Sequence, residues 1–227
     1  MSEAGMKLKR ADIAGVILAG GLSRRMQGAA KPLMLLGGTP LLAHVRDRLA
    51  PQVARMLVNA NDDPGRYAQF HLPVQADPVA LGAPQDIPRP AGPLAGILAG
   101  MLWARQAAPD ASHLVSVAAD TPFFPADLVS RLAAALPTEG VAIAASLGRR
   151  HPVFALWPVA LAGDLEVFLA SGEKAGVERF AARHGGRSVD FPEVATRGAR
   201  LDPFFNINTP QDLEEAHSIL ARIGGRA

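Results

Sequence analysis

A glycine-rich, cationic segment follows the first apolar run of the chain. Residues 18–31 read Leu-Ala-Gly-Gly-Leu-Ser-Arg-Arg-Met-Gln-Gly-Ala-Ala-Lys. Gly20 and Gly21 come where a buried strand would leave the carboxyl edge of a parallel sheet, and ligands of such sheets bind at that edge. Glycines let backbone N–H groups approach an anion closely, and Arg25 and Lys31 add positive charge. The segment therefore predicts a polyphosphate-binding loop.

The spacing fits neither of the two commonest phosphate-binding loops. It lacks the Gly-Lys-Ser/Thr of a Walker loop and the Gly-x-Gly-x-x-Gly of a dinucleotide-binding loop. A plain strand-to-helix turn with solvated arginines would carry the same glycines. Lys31 argues against that alternative, because it is the only lysine between Lys9 and Lys174 and arginine supplies most other basic side chains.

Asp120 is a candidate metal ligand at the same edge. It follows an apolar run at 115–119, which has the composition of a buried strand, and it precedes Thr121 and Pro122. A carboxylate beside a triphosphate would repel it, whereas a bridging Mg²⁺ would turn the repulsion into attraction. The alternative is an aspartate that only caps the following turn.

Two asparagines near the carboxyl end form a further candidate group. Asn206 and Asn208 flank Ile207, and in a strand this spacing would place both amides on one face. Thr209 and Asp212 have the spacing of a capping box at a helix start. Asparagines that only satisfy the backbone of a turn would give the same pattern.

Other candidates depend more strongly on context. Residues 92–96 read Gly-Pro-Leu-Ala-Gly and predict a helix start whose free N–H groups could meet an anion or a base edge, although a plain helix start has the same composition. Arg149, Arg150 and His151 lie between two apolar runs and predict a solvated hairpin tip, or alternatively a grip on the phosphate of a second substrate.

At these positions the chain resembles the nucleotidyltransferases with a glycosyltransferase-A-like fold. Among them it is most similar to the molybdenum cofactor guanylyltransferases. The matching motifs occur in the family's order and span residues 13 to about 220. They are Leu18-Ala19-Gly20-Gly21 with Ser23, Arg25, Met26, Gly28 and Lys31; Val58-Asn59-Ala60-Asn61; Gly92-Pro93-Leu94-Ala95-Gly96; Asp120-Thr121-Pro122; His151-Pro152; and Asn206-Ile207-Asn208-Thr209-Pro210.

The resemblance implies transfer of GMP from GTP to molybdopterin, with release of pyrophosphate and with Mg²⁺ as cofactor. It assigns catalysis to Arg25, Lys31 and Asp120, with Asp120 as the metal ligand. It assigns nucleotide binding to Leu18, Ala19, Gly20, Gly21, Gly28, Lys31, Asn59, Asp77, Gly92, Gly96 and Asp120. It assigns the second substrate to Arg149, Arg150, His151, Asn206 and Asn208.

The first motif departs from the family pattern at two positions. Gln27 stands where the family usually has glycine, and Ala30 stands where an acidic residue commonly precedes the lysine. Gly20, Gly21 and Lys31 remain, so we expect these departures to affect the rate more than the class of reaction.

Three other functions share parts of this pattern. A CTP-dependent molybdopterin cytidylyltransferase, or a guanylyltransferase for another small phosphate, would have the same loop and the same aspartate. The motifs at 92–96 and 206–210 favour the molybdopterin guanylyltransferase. A non-catalytic nucleotide-binding module would explain Gln27 and Ala30, but Lys31 and Asp120 favour an enzyme.

The composition restricts partners and compartment. The chain of 227 residues has no cysteine, so any metal must bind oxygen or imidazole ligands. A net charge of +2 without a basic stripe predicts no nucleic-acid binding, and no apolar run reaches the ~18 residues of a membrane span. We expect a cytoplasmic monomer whose partners are GTP and molybdopterin, with molybdoenzymes or their chaperones as protein partners.

Alternating apolar runs and helical patterns predict a three-layer α/β/α sandwich with a mostly parallel, Rossmann-like sheet. The pattern predicts a single nucleotidyltransferase domain at 11–224 after a flexible 1–10. It also predicts a helix from Pro125 to about Leu136 and an antiparallel pair at 141–145 and 153–157. Residues 78–91 are rich in proline, and we expect them to form a mobile lid over the nucleotide.

Overall fold

The computed structural model describes residues 8–20, 31–78, 92–137, 140–171, 176–196 and 199–224. In chain order its strands are β1 (Ile13–Leu18), β2 (Leu35–Leu36), β3 (Thr39–Pro40), β4 (Arg55–Asn59), β5 (Val74–Gln75), β6 (His113–Ala118), β7 (Ala142–Ser146), β8 (Arg149–Pro158), β9 (Arg187–Asp190), β10 (Val194–Thr196) and β11 (Ala199–Leu201). Its α-helices are α1 (Leu41–Leu49), α2 (Gly92–Ala107), α3 (Leu128–Ala134), α4 (Ala162–Ala170), α5 (Val177–Arg183) and α6 (Pro210–Gly224).

Seven strands form a central sheet in the order β5-β4-β1-β6-β8-β7-β9. All of them run in one direction except β8, which is antiparallel to both β6 and β7. Every residue of β1 is buried, as expected of a parallel strand covered on both faces. The mostly parallel sheet predicted from the sequence is confirmed.

Helices cover both faces of the sheet. On one face α1 and α3 pack their leucines and valines into a cluster that contains Ile17, Val117 and Phe154. On the other face α2, α4 and α5 pack against Val16 and Leu114. Helix α6 and the β2–β3 hairpin contribute to a third, smaller hydrophobic cluster, which contains Leu36 and Ile219. No helix in the described ranges is both long and apolar enough to cross a bilayer.

The sequence-based predictions for the start of α3 and for residues 206–208 are wrong. The helix predicted from Pro125 begins at Leu128, because Asp127 has a non-helical backbone (φ −106°, ψ 14°). Residues 125–128 form a turn instead, in which the Leu128 N–H donates to the Pro125 carbonyl oxygen at 3.1 Å. Asn206 and Asn208 do not lie in a strand. The Ile207 N–H donates instead to the Asp120 carbonyl oxygen, 3.0 Å, although Ile207 is buried between two exposed asparagines as the spacing predicts.

Some predictions fall outside the described residues. They concern Gly21, Arg25 and Gly28 of the predicted phosphate loop, and the predicted lid at 78–91 except for Pro78. The single-domain boundaries at 11–224 also stay a prediction.

Candidate active site

Three adjacent parallel strands bring predicted site residues to the carboxyl edge of the sheet. Leu18 ends β1, Asn59 ends β4, and Asp120 lies two residues beyond β6. Two backbone hydrogen bonds join the strand ends. The Ala19 N–H donates to the Asn59 carbonyl oxygen at 2.9 Å, and the Ala119 N–H donates to the Leu18 carbonyl oxygen at 3.1 Å. The sequence-based placement of these residues at one edge is therefore confirmed.

Lys31 lies at the centre of this edge and contacts two predicted site residues. Its Nζ donates to Oδ2 of Asp120 and to Oδ1 of Asn208, the latter at 2.7 Å. The Lys31 and Asp120 side chains are 14 % and 21 % exposed, so the pair is shielded but open to a ligand. An ammonium group has three donors, and the third has no partner in the part of the chain that the structure describes. The two hydrogen bonds hold the ammonium group beside Asp120 and Asn208 at the sheet edge.

Backbone and capping interactions hold these three side chains in place. Lys31 begins a 3₁₀ turn, Lys31–Leu33, in which its carbonyl accepts from the Met34 N–H at 3.1 Å. Asp212 Oδ2 accepts from the N–H groups of Asn208 and Thr209 at 2.7 and 2.8 Å, and the Asp212 N–H donates to Thr209 Oγ1 at 3.1 Å. The predicted capping box at the start of α6 is thus confirmed, and it fixes the backbone that carries Asn208.

The capping carboxylate stays charged. Burial opposes ionisation of Asp212, but the N–H groups of Asn208 and Thr209 and the Thr209 hydroxyl favour it, so the pKa of the Asp212 carboxyl is lowered from its usual value. The negative charge at the N-terminus of α6 also has a favourable interaction with the helix dipole.

A second cluster surrounds Asp77 beside β4. Asn59 is 3 % exposed, and its Nδ2 donates to Asp77 Oδ1 at 2.9 Å and to the Gln75 carbonyl at 3.1 Å. Asn61 Nδ2 donates to Asp77 Oδ2 at 2.8 Å, and Asn61 Oδ1 accepts from the Asp77 N–H at 2.8 Å. The site residues predicted from sequence did not include Asn61, although it belongs to the quoted motif at 58–61. These contacts orient a carboxylate that can accept hydrogen bonds from a ligand.

Gly96 lies against this second cluster. It lies in α2, and a Cβ there would overlap Asn59 Oδ1 and come within 2.6 Å of Leu18 Cδ2. A side chain would therefore push α2 away from the strand ends. Gly92 begins the same helix with φ +63°, and a Cβ there would meet no atom within 4 Å.

We expect Gly96→Ala to destabilise the fold by about 1–3 kcal/mol, because a methyl group must be inserted into a packed contact. Urea unfolding measures the change. Gly163→Ala in α4 is the matched control, since a Cβ there meets nothing within 4 Å and replacing a helical glycine stabilises by roughly 0.5–1 kcal/mol. Similar unfolding midpoints for the two variants would contradict the close approach of α2.

The β7–β8 hairpin carries three residues predicted to bind a second substrate. Its two-residue tip is Leu147 and Gly148, with φ +50° and +72°, as in a type I′ turn. Arg149, Arg150 and His151 are all paired with β7 and His151 is buried, so the prediction that they form a solvated tip is wrong. β8 begins at Arg149, four residues before the expected start at 153, because glycine in the second turn position permits a tight reversal.

The two arginines differ in their hydrogen bonds to other protein groups. Arg149 is exposed. Arg150 donates to Glu178 Oε2 at 2.8 Å and to the Gly186 carbonyl at 3.1 Å, so two of its nitrogens are occupied by protein groups. Arg149 is therefore the more available of the two for an anionic ligand.

His151 is held between the hairpin and the segment that precedes Asn206. Its Nε2 lies 2.7 Å from Ser146 Oγ, and its ring stacks on Phe204 with centroids 4.5 Å apart. Ser146 Oγ also donates to Asp202 Oδ1 at 2.7 Å. Burial lowers the pKa of His151, Asp202 partly opposes this, and Arg149 lowers it further. Neither Ser146 nor Asp202 was among the predicted site residues, and no local motif marks their contact.

The donor set at the carboxyl edge can be compared with the needs of a divalent cation. No group of three or more acidic or histidine side chains that could hold a metal occurs among the described residues. The Asp120 carboxylate and the Asn208 amide supply hard oxygen donors close to each other, through their shared partner Lys31. Such a pair fits Mg²⁺, which commonly takes one or two protein ligands and completes its shell with water and substrate phosphates.

Comparisons with known proteins place the chain among nucleotidyltransferases. Residues 15–188 match the model of the MobA-like NTP transferase domain. A molybdenum cofactor guanylyltransferase from Sinorhizobium fredii (strain NBRC 101917 / NGR234) is 49 % identical over 92 % of this chain and 92 % of its own length.

Solved structures show the same fold at lower identity. Molybdopterin-guanine dinucleotide biosynthesis protein A from Archaeoglobus fulgidus is 21 % identical and superimposes with a TM-score of 0.64 over 92 % of this chain and 98 % of its own. A Mycobacterium tuberculosis H37Rv protein, Rv0371C, solved in complex with manganese, is 15 % identical, with a TM-score of 0.61 over 91 % of this chain and 98 % of its own.

Proposed function

Since the chain belongs to the family of MobA-like NTP transferase domains, we propose that it transfers GMP from GTP to molybdopterin and releases pyrophosphate. The observation that carries this proposal is the nearly full-length match to a relative named as a molybdenum cofactor guanylyltransferase. The oriented Lys31 ammonium at the carboxyl edge supports the same chemistry.

The reaction is an in-line displacement at phosphorus. An oxygen of the terminal phosphate of molybdopterin forms a bond to the α-phosphorus of GTP, and the bond from that phosphorus to the bridging oxygen of pyrophosphate breaks. A phosphate monoester has its second pKa near 6, so the nucleophile is largely dianionic at pH 7. No general base is needed, and catalysis depends on alignment and on neutralising charge.

Lys31 supplies the positive charge in this proposal. Asp120 and Asn208 accept two of its protons, and the third is proposed to donate to a phosphate oxygen at the sheet edge. A preorganised donor of this kind stabilises charge on phosphate oxygens without having to reorganise during the reaction. Arg25, Gly20, Gly21 and Gly28 are proposed to complete the phosphate site.

A divalent cation is part of the proposal. Asp120 would hold Mg²⁺ with the help of the Asn208 oxygen, and the bound ion would neutralise negative charge on the phosphate oxygens. The manganese complex of the Mycobacterium tuberculosis protein with the same fold supports a divalent cation in such folds.

The two substrates are proposed to lie on either side of Lys31. The nucleotide side comprises Leu18, Ala19, Asn59, Asp77, Gly92 and Gly96. The molybdopterin side comprises Arg149, Arg150, His151, Asn206 and Asn208. The proposal also includes action as a cytoplasmic monomer that passes its product to molybdoenzymes or their chaperones.

Nucleotide choice tests the proposal. We expect GTP with Mg²⁺ to raise the melting temperature more than CTP at equal concentration, because a ligand that binds only the native state stabilises it by RT ln(1 + [L]/Kd). At 100 times Kd the gain is about 2.7 kcal/mol. Differential scanning fluorimetry with all four nucleoside triphosphates measures the order, and ATP is the matched purine control.

Equal shifts with GTP and CTP, or a larger shift with CTP, would contradict the guanylyl assignment and favour the cytidylyltransferase. Release of pyrophosphate on mixing the protein with GTP and molybdopterin separates an enzyme from a nucleotide-binding module. A large GTP shift without pyrophosphate release would contradict catalysis.

A further inference from the structure

Ser146, His151 and Asp202 form a hydrogen-bonded chain that links two parts of the sheet edge. Ser146 and His151 lie on the β7–β8 hairpin, and Asp202 lies at the start of the segment that leads to Asn208. His151 Nε2 and Ser146 Oγ are 2.7 Å apart, and Ser146 Oγ and Asp202 Oδ1 are 2.7 Å apart. His151 and Ser146 are 9 % and 2 % exposed, so water cannot readily replace these bonds.

The positions of the protons in this chain follow from the chemistry of each group. Ser146 Oγ donates to Asp202 Oδ1, so its single hydroxyl proton points to that oxygen. The Phe204 N–H also donates to Asp202 Oδ1, at 3.0 Å, and this fixes the carboxylate. Ser146 Oγ can then only accept from His151, which means that Nε2 carries a proton.

The second ring nitrogen is therefore an acceptor. In a neutral imidazole with a proton on Nε2, Nδ1 has a free lone pair. Nδ1 has no hydrogen-bond partner in the ranges that the structure describes, and the ring orientation is fixed by stacking on Phe204. Burial lowers the pKa of His151 and so favours the neutral ring. The negative charge of Asp202 opposes this effect, and the positive charge of Arg149 adds to it.

A His151 ring in this tautomer is not suited to binding phosphate. A phosphate dianion offers acceptors only, whereas the neutral ring has committed its one donor to Ser146. Nδ1 is suited to the opposite partner, an N–H or O–H group. The fused ring system of molybdopterin carries several N–H groups.

We propose that Asp202 and Ser146 are positioning residues that hold His151 as the Nε2–H tautomer, so that Nδ1 accepts a hydrogen bond from an N–H or O–H group of the second substrate. The inference deepens the proposed function and rests on molybdopterin being that substrate. The same segment connects this histidine to the catalytic pair, because the Ile207 N–H binds the Asp120 carbonyl and Asn208 binds Lys31. A group recognised by His151 is thereby placed relative to Lys31.

The tautomer can be measured without any substrate. In ¹⁵N NMR spectra of histidine-labelled protein at pH 7.5, we expect the parent His151 to show a protonated Nε2 and a bare Nδ1, with His151→Gln identifying the signals. Asp202→Ala frees the Ser146 hydroxyl to donate to Nε2, so the proton should move to Nδ1. Asp202→Asn keeps an acceptor oxygen and should retain the parent tautomer. A parent ring protonated on Nδ1 would overturn the proposal.

Kinetics test the second half of the inference. His151→Gln keeps an N–H that can donate to Ser146 but removes the ring acceptor, so KM for molybdopterin should rise about three- to tenfold while KM for GTP and kcat change less than about twofold. Asp202→Ala should give the same pattern, and Asp202→Asn should rescue it. His113→Gln, on a half-buried histidine at the opposite edge of the sheet, is the matched control and should leave all three constants unchanged.

The outcomes separate this inference from the proposed function. If the parent protein makes no guanine dinucleotide, the proposed guanylyl transfer is wrong. The NMR spectra still determine the tautomer of His151, and a shift of the Nδ1 resonance on adding molybdopterin still reports binding at that nitrogen. A shift of that resonance by GTP alone, or an unchanged KM for molybdopterin in His151→Gln, would overturn the acceptor role while leaving guanylyl transfer in place.

Discussion

Asp120→Asn is expected to lower turnover at least about a hundredfold while GTP binding changes less than about tenfold. The carboxylate orients the Lys31 ammonium and is the ligand proposed for the divalent cation. It therefore positions the two positive charges that are proposed to neutralise the phosphates during transfer. Asparagine has nearly the same shape and can still accept from Lys31, which keeps the local structure. Steady-state release of pyrophosphate measures turnover, and equilibrium titration measures GTP binding.

The matched control is Asp110→Asn. Asp110 is exposed and precedes β6, whereas Asp120 follows β6, so the two aspartates lie at opposite edges of the sheet. We expect the control to stay within about twofold of the parent, as exposed substitutions outside a site usually have small effects. Turnover of Asp120→Asn within about tenfold of the parent, a cost of about 1.4 kcal/mol, would remove Asp120 from the proposed catalytic residues.

The parts of the fold that the sequence predicts well are those governed by burial. The apolar runs at 13–18 and 56–58 lie in β1 and β4 and are buried throughout, because a strand covered on both faces admits few other side chains. Once these strands are parallel neighbours, the residues that follow them must share one edge. This is why Leu18 and Asp120 could be placed at one edge from the residue pattern, whereas Asn59 was assigned to the site only by the family resemblance.

Local backbone geometry was harder to predict. Pro125 has the φ of a helix start, but the turn at Asp127 delays α3 until Leu128. The hairpin tip falls on Leu147, an exposed leucine with positive φ, where composition alone favours the neighbouring arginines. In both cases the outcome depends on hydrogen bonds between backbone groups, which side-chain patterns do not encode.

Individual side-chain contacts between segments that share no motif could not be predicted. Ser146 and Asp202 are 56 positions apart and belong to no common motif, yet they share a hydrogen bond at the site. Arg150 resembles a ligand-binding arginine in the sequence, but Glu178 and the Gly186 carbonyl occupy two of its nitrogens. Arg150 differs from Arg149 because α5 and the residue that precedes β9 pack beside the hairpin.

Lys31→Met is expected to weaken GTP binding at least about tenfold and also to lower turnover, in contrast to Asp120→Asn, which is expected to affect mainly turnover. A hydrogen bond to a charged group contributes about 1.5–3 kcal/mol, and methionine keeps the apolar stem while it removes all three donors. The variant also leaves the Asp120 carboxylate without its ammonium partner, so that it repels the triphosphate. Titration with GTP and Mg²⁺ measures the affinity. Lys9→Met is the control, because Lys9 is exposed and precedes β1 at the opposite edge of the sheet. Equal GTP affinity in Lys31→Met and Lys9→Met would show that Lys31 only balances the charge of Asp120, and its assignment to the phosphate site would then be withdrawn.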